Sequence, residues 1–237
     1  MRIIIGYPPL ESQKGIPLLA QNRQFQWAKT PWRVYPVIPA YAATLLKEYG
    51  HKVFWLDGIS EEWTLEEWFK KVKEAKADLI MIETKTPVIK KHWQIINQLK
   101  SANRRMKIAL VGDHVTALPK ESYKNCQVDY VLPGGNYDFS LLSLVEGKKI
   151  PVNLDKLPFI DRKLTRWDLY AYKNSNYSRT PGTYTMFGRD CWWGKCTFCS
   201  WTTLFPGQSY RVMSVKRALD EIGDILKNYP VKEIMDD

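Results

Sequence analysis

Over the first 146 residues, short apolar runs alternate with longer stretches whose apolar positions recur every three or four residues. A short, unbroken apolar run suits a strand covered on both faces, and the wider spacing suits a helix with one buried stripe. Residues 2–6 (RIIIG) read as a first strand, ended by Tyr7-Pro8-Pro9. A polar and aromatic loop runs from Leu10 to about Tyr35. The next helix covers residues 39–49, with Tyr41, Leu45 and Leu46 on one face and Gly50 as its stop. Residues 53–56 (VFWL) form a second strand, and residues 61–77 an amphipathic helix bearing Trp63, Leu65, Trp68, Phe69 and Val72. The nearly all-apolar DLIMIE at 78–83 is a third strand. A helix over 88–102 leads to a strand at 107–111, a short helix at 119–125, a strand at 128–132 and a closing helix at 136–146.

Five strands alternating with helices predict an α/β fold, a Rossmann-like doubly wound parallel sheet. Such sheets bind ligands outside the carboxyl ends of their strands. Those ends carry Tyr7-Pro8-Pro9, Glu83-Thr84-Lys85-Thr86, Gly112-Asp113-His114 and Pro133-Gly134-Gly135-Asn136. Glycines and short polar residues there let backbone N–H groups approach a ligand. Thr84, Gly112, Asp113, His114, Gly134 and Gly135 are therefore candidate contacts, although ordinary strand-to-helix turns share this composition. Neither G-x-G-x-x-G nor a Walker A pattern occurs, so a dinucleotide or ATP site has no support.

Regularity is lost from residue 147 to 180, where Pro151, Pro158 and an Asn/Ser/Tyr-rich stretch predict a connection between domains. Residues 183–188 (TYTMFG) read as a new strand running into a cysteine-rich loop. Beyond it come a helix at 215–227, with Ala218, Leu219, Ile222 and Leu226 on one face, and a strand at 231–235. The expected organisation is a sheet domain at 1–146, a linker at 147–180 and the start of a second unit at 181–237.

Composition narrows the function. The hydrophobic content of 45% is ordinary for a globular protein, and no apolar run reaches the roughly 18 residues of a membrane span. The apolar start is too short for a signal peptide, so a cytoplasmic protein is the expectation. The net charge of +10 is spread among interleaved acids, without a basic cluster alternating with aromatics. That argues against nucleic acid and admits a phosphorylated ligand.

Cysteine usage is sharper. Three of the four cysteines, Cys191, Cys196 and Cys199, fall within nine residues, and Cys126 stands apart as a partly buried thiol. A tight cluster points to metal rather than to a disulfide scaffold. Thiolates favour iron–sulfur clusters or zinc, and a structural zinc site wants four ligands. No fourth Cys or His lies downstream, and His51, His92 and His114 are all far upstream. A cubane held by three cysteines leaves one iron open for substrate, whereas electron-transfer clusters usually take four. Zinc and free thiols remain the alternatives.

The strand, the C-x2-C pair and Phe198 before the last cysteine resemble the radical S-adenosylmethionine superfamily, whose usual motif is C-x3-C-x2-C at the end of a strand of a partial TIM (β/α) barrel. Here Trp192, Trp193, Gly194 and Lys195 make the first gap four residues, and Gly194 can absorb the insertion. Tyr210-Arg211 and the later VKEIMDD also resemble the segment downstream of the loop in that family. Upstream, IPAY…LLKEYGHKV and GDHVTALP are similar to the cobalamin-binding domain that precedes many such barrels. The D-x-H-x-x-G motif, whose histidine ligates cobalt in other cobalamin proteins, is absent after the first strand. His114 lies after the fourth strand and is expected to contact a loop or a phosphate instead.

The resemblance implies a 4Fe-4S cluster on Cys191, Cys196 and Cys199 that chelates S-adenosylmethionine, with cobalamin at the sheet's carboxyl edge. It implies radical chemistry through a 5′-deoxyadenosyl radical, methylating or rearranging an unactivated carbon of a small-molecule or lipid-like substrate. It also implies a reductant such as flavodoxin or ferredoxin. Phe198 would pack near the adenosine, and Asp236 and Asp237 would meet polar groups of S-adenosylmethionine or else form an exposed acidic end. Only 38 residues lie beyond Cys199, where a full barrel takes about 250, so a truncated barrel is expected. Two rival readings are a non-catalytic cobalamin- or nucleotide-binding module with a structural cysteine cluster, and a nucleotide-sugar transferase half that leaves the cysteines unexplained.

Overall fold

A computed structural model describes residues 1–10, 12–19, 25–30, 32–207 and 209–237. In chain order the strands are β1 (Arg2–Tyr7), β2 (Ile16–Leu18), β3 (Gln26–Ala28), β4 (Lys52–Asp57), β5 (Leu79–Glu83), β6 (Lys107–Val111), β7 (Tyr130–Val131), β8 (Gly182–Thr185), β9 (Gly188–Arg189), β10 (Arg211–Val212) and β11 (Glu233–Asp236). The helices are α1 (Val37–Glu48), α2 (Leu65–Ala75), α3 (Ile89–Ala102), α4 (Asp113–Ala117), α5 (Glu121–Asn125), α6 (Tyr137–Glu146), α7 (Trp201–Leu204) and α8 (Val215–Asn228).

The main sheet is parallel throughout, in the order β4-β1-β5-β6-β7. Its central strands β1 and β5 are buried along nearly their whole length, as their unbroken apolar runs require. Strand order reverses between β1 and β5, which opens a crevice at their carboxyl ends. α1 packs on α6 over one face, and α2 packs on β1 and β4. α2 begins four residues later than periodicity predicts, because Thr64 and Glu67 form a reciprocal capping box there. It ends at Lys76 in the left-handed region, with φ 48°.

Several short elements escape the sequence reading, among them β2, β3, α4, α7 and β10. The expected loop at 10–35 contains the β2–β3 hairpin; its residues 11, 20–24 and 31 lie outside the described residues. The Gly112 turn passes directly into the short helix α4, where only loop was expected. The 147–180 segment has no long element, and it is packed through a series of buried side chains. Leu154, Leu157, Ile160, Arg162, Thr165, Trp167, Tyr170, Ala171 and Asn174 are all buried.

After it, β8 and β11 pair in parallel and are joined through α8, the β–α–β repeat of a barrel. The helix is turned about its axis relative to its apolar spacing, so that Ala218 and Ile222 are only partly buried. Its buried residues are Arg217, Glu221 and Ile225, while Val215, Leu219 and Leu226 are exposed. Tyr41 Oη donates to both Glu221 oxygens at 2.8 and 2.9 Å, and Arg217 Nη1 lies 3.1 Å from Glu221 Oε2. Beside them Arg162, fully buried, donates to the Tyr184 carbonyl at 3.0 Å and to Thr183 Oγ1 at 3.2 Å. This ionic seam joins the barrel unit to α1 of the sheet domain. Among the described residues, no helix is long and apolar enough to cross a membrane.

Candidate functional site

The crevice at the strand reversal is floored by charged and phenolic groups. Tyr7, ending β1, donates its hydroxyl to Glu83 Oε2, ending β5. Burial pushes the Glu83 carboxyl up to about 7, against the pull of Lys85 and Tyr7. Its Oε1 and Asp113 Oδ1 are buried acceptors without a hydrogen-bond partner among the described residues. Lys85 Nζ lies 3.2 Å from Asp113 Oδ2.

The predicted loop residues converge on this edge. Thr84 is buried, its N–H donating to the Val111 carbonyl at 2.9 Å and its Oγ1 lying 2.8 Å from His92 Nδ1. Gly112 holds φ at 107°, and a Cβ there would stand 2.4 Å from the Thr84 carbonyl, so the two loops touch only because residue 112 has no side chain. His114 is buried on α4, with Nδ1 3.2 Å from Thr86 Oγ1 and Nε2 3.1 Å from Glu121 Oε2. Both ring nitrogens thus face neighbouring side chains. Gly134, at φ 94°, donates its N–H to Thr116 Oγ1 at 2.9 Å.

The cysteine loop docks onto this same edge. A two-residue antiparallel ladder, Gly188–Arg189 against Arg211–Val212, closes its base. Arg189 Nη2 meets Asp138 Oδ2 of α6 at 3.0 Å, both side chains fully buried, and its guanidinium lies over the Tyr41 ring. At the far end, Gly135 donates its N–H to the Leu204 carbonyl at 2.9 Å. A Cβ on Gly135 would stand 2.1 Å from the Phe205 ring, which is itself buried. α7 packs against α4. The 190–205 segment is therefore fixed at both ends beside the β7–α6 turn.

Within the loop, Cys191, Cys196 and Cys199 are free thiols, each partly exposed. Asp190 takes a positive φ of 73°, and its Oδ1 accepts the Cys191 N–H at 2.7 Å. Gly194 takes φ 57°, which matches its expected part in accommodating the four-residue gap. Among the described residues no three His, Cys, Asp or Glu side chains stand together as metal ligands, so the three sulfurs are not gathered here. The donor set is three sulfur atoms, soft ligands by type, on a loop with anchored ends. Trp192, Trp193 and Phe198 are exposed around them.

Asp236 is exposed, yet its carboxylate is held. Its Oδ1 accepts from Thr185 Oγ1 and from the Phe187 N–H, each at 3.0 Å, at the carboxyl end of the β8–β11 pair. Asp237 continues the ladder through its N–H to the Thr185 carbonyl at 3.1 Å. Sequence reasoning missed Asp138, Arg189 and Phe205. An arginine immediately before the loop and an acid in the first turn of α6 were visible, but only tertiary structure pairs them.

Residues 28–139 match the family model of the B12 binding domain. An uncharacterized methyltransferase of Pyrococcus horikoshii is 26% identical over 260 aligned positions, covering 99% of this chain and 52% of that protein. The solved cobalamin-dependent S-adenosylmethionine radical enzyme OxsB, with aqua-cobalamin and S-adenosylmethionine bound, matches with a TM-score of 0.69 at 15% identity over 99% of this chain and 33% of its own. The radical S-adenosylmethionine methyltransferase TsrM from Kitasatospora setae gives 0.58 at 12% identity over 100% and 48%. The chain thus spans about half the length of the curated relative it matches, and the solved structures show a common fold. Residues 28–139 are similar to the B12 binding domain, in a chain that shares its fold with OxsB and TsrM.

Proposed function

We propose that this chain is the cofactor-bearing part of a radical S-adenosylmethionine enzyme, binding cobalamin at the sheet's carboxyl edge and a 4Fe-4S cluster on Cys191, Cys196 and Cys199. The observation that carries it is the docking of the cysteine loop on the β7–α6 turn through Gly135 and Leu204, which keeps the thiols near the B12-binding edge. The edge suits a polar cofactor: Asp113 is partly exposed beside Lys85, with Oδ1 lacking a hydrogen-bond partner among the described residues, and Gly112 lets its loop close against Thr84. When bound, the cluster with S-adenosylmethionine supplies a 5′-deoxyadenosyl radical, and cobalamin a transferable methyl group.

The protein's own part is placement. Asp113 and Gly134 border the corrin's seat, and Thr84, Gly112 and Gly135 support it from behind, while His114, buried with Nδ1 beside Thr86, does not reach for cobalt. Phe198 lies exposed between two of the cysteines and is available to cover an adenosine. Asp236, its Oδ1 held by Thr185 and the Phe187 N–H, and Asp237 would meet polar groups of S-adenosylmethionine. The substrate is a small or lipid-like molecule, and the electron comes from a flavodoxin- or ferredoxin-type donor. The ungathered thiols favour a second reading, a cobalamin-binding module with no redox cluster.

Anaerobic reconstitution of the full chain with iron, sulfide and aqua-cobalamin decides between them. About four irons per chain with a broad brown absorbance, together with stoichiometric cobalamin, is the expected result. Cobalamin without iron would leave the module, and neither would overturn both readings.

A further inference from the structure

The cysteine loop is anchored to the sheet domain twice, at Arg189 before Cys191 and at Leu204–Phe205 after Cys199. Both anchors land on one short stretch, Gly135 to Asp138, where β7 turns into α6. The first is a fully buried ion pair, whose Arg189 Nε and Nη1 have no other hydrogen-bond partner among the described residues. Desolvating such a pair is costly unless its geometry is held. The second places an aromatic ring where any side chain at residue 135 would stand. The turn that carries these anchors also presents Gly134, whose N–H is tied to Thr116 on α4, at the sheet's ligand edge.

We propose that Asp138 and Arg189 are positioning residues that couple the two cofactor sites, so that loading the cysteine loop with its cluster tightens cobalamin binding and cobalamin in turn retains the cluster. This rests on the function proposed above. The physical reason is that gathering three thiolates fixes the 190–205 loop, and that loop ends on the turn that shapes the corrin seat. A loop already ordered by one ligand leaves less ordering for the second, and such coupling is reciprocal.

The test measures aqua-cobalamin affinity of the full chain, anaerobically, with and without reconstituted cluster, and the rate at which an iron chelator strips the cluster with and without aqua-cobalamin. Cluster loading is expected to tighten cobalamin by about fivefold or more, and saturating cobalamin to slow iron loss. In Asp138→Asn and Arg189→Lys the affinity ratio should fall toward one, with affinity of the cluster-free form kept. Phe205→Leu tests the second anchor should the ion-pair variants fail to fold, and it should lower the ratio too. A ratio near one in the unaltered protein, with both cofactors bound, overturns this inference alone. A ratio that survives all three substitutions assigns the coupling to other residues and overturns it as well. Failure of the unaltered protein to bind either cofactor overturns the proposed function together with this inference.

Discussion

The Tyr7 hydroxyl donates to Glu83 across the point where strand order reverses, and both side chains are buried. Neither residue type belongs in a sheet interior without a partner. Their pairing explains how a carboxyl group tolerates the end of an otherwise apolar strand. Burial, with the Glu83 charge added, drives the Tyr7 phenol well above its ordinary range. It therefore stays a donor at any working pH, and Glu83 carries the titration.

Stability should track that titration. The Glu83 carboxyl is raised from 4.5 to about 7, chiefly by burial, so between those values the folded state holds a proton that the unfolded state has released. Its contribution is fully present below about pH 4.5 and is lost as pH climbs to 7. Glu83→Gln should remove this loss, on the order of 3 kcal/mol at one pK unit per 1.36 kcal/mol. Unfolding midpoints from pH 5 to 8 check it, and a variant whose midpoint falls as steeply as that of the unaltered protein would contradict the assignment.

His92 should act with the opposite sign. Burial lowers it from 6.5 to about 3, so the stability it contributes is complete above pH 6.5 and drains away as pH falls toward 3. Between about 4.5 and 6.5 the two groups oppose each other, which flattens the profile of the unaltered protein. His92→Gln, measured in the same series, should make stability fall more steeply with rising pH across that window. An unchanged slope there would show that the imidazole is not buried neutral.

Periodicity encodes burial, and burial sets how much of the fold was legible in the sequence. The strands β1, β5 and β6 are unbroken apolar runs covered on both faces, and the sequence reading finds them within a residue or two. The candidate contacts Thr84, Gly112, Asp113, His114, Gly134 and Gly135 do converge, because parallel strands deliver all their carboxyl ends to one edge. The strand order was not legible, since each strand alone carries no record of its neighbour. Nor was the Arg189–Asp138 pair, where a charge facing a charge inside the fold looks in sequence like two ordinary surface residues.

The cysteines should separate by role. Cys126 is partly buried, hands its thiol to the Ser122 carbonyl, and is pushed up to about 11 by burial, so it remains a protonated thiol. Cys191, Cys196 and Cys199 are partly exposed on the anchored loop. Replacing any of these three by Ala is expected to abolish retention of iron and sulfide after reconstitution, and Cys126→Ala to leave it intact. Equal retention in all four variants would remove the cluster from the proposal.

His114 is expected to leave cobalt alone. Its Nδ1 and Nε2 face Thr86 and Glu121 within α4 and its surroundings, and the imidazole is buried against Trp93. Paramagnetic resonance of Co(II)-cobalamin bound to the full chain should show no nitrogen splitting from the protein. A splitting that disappears in His114→Ala would identify it as a ligand.

The last expectation concerns α8, whose buried face is rotated away from the centre of its apolar stripe. Leu219 and Leu226 form part of its apolar stripe yet are about 60% exposed, while Glu221 is fully buried among Tyr41, Arg162 and Arg217. A wheel alone would rank Leu219 as the core position and Glu221 as the tolerant one. The structure reverses this. Leu219→Ser should change unfolding free energy of this chain by about 0.5 kcal/mol or less, as surface substitutions do. Glu221→Gln keeps a shape that Tyr41 can still bond, but it leaves two buried guanidinium groups without their carboxylate, so a loss of roughly 3–5 kcal/mol is expected. Denaturant titration of both variants gives the comparison directly. A larger loss at Leu219 than at Glu221 would mean that the apolar stripe, and not the ionic seam, holds α8 to the sheet domain.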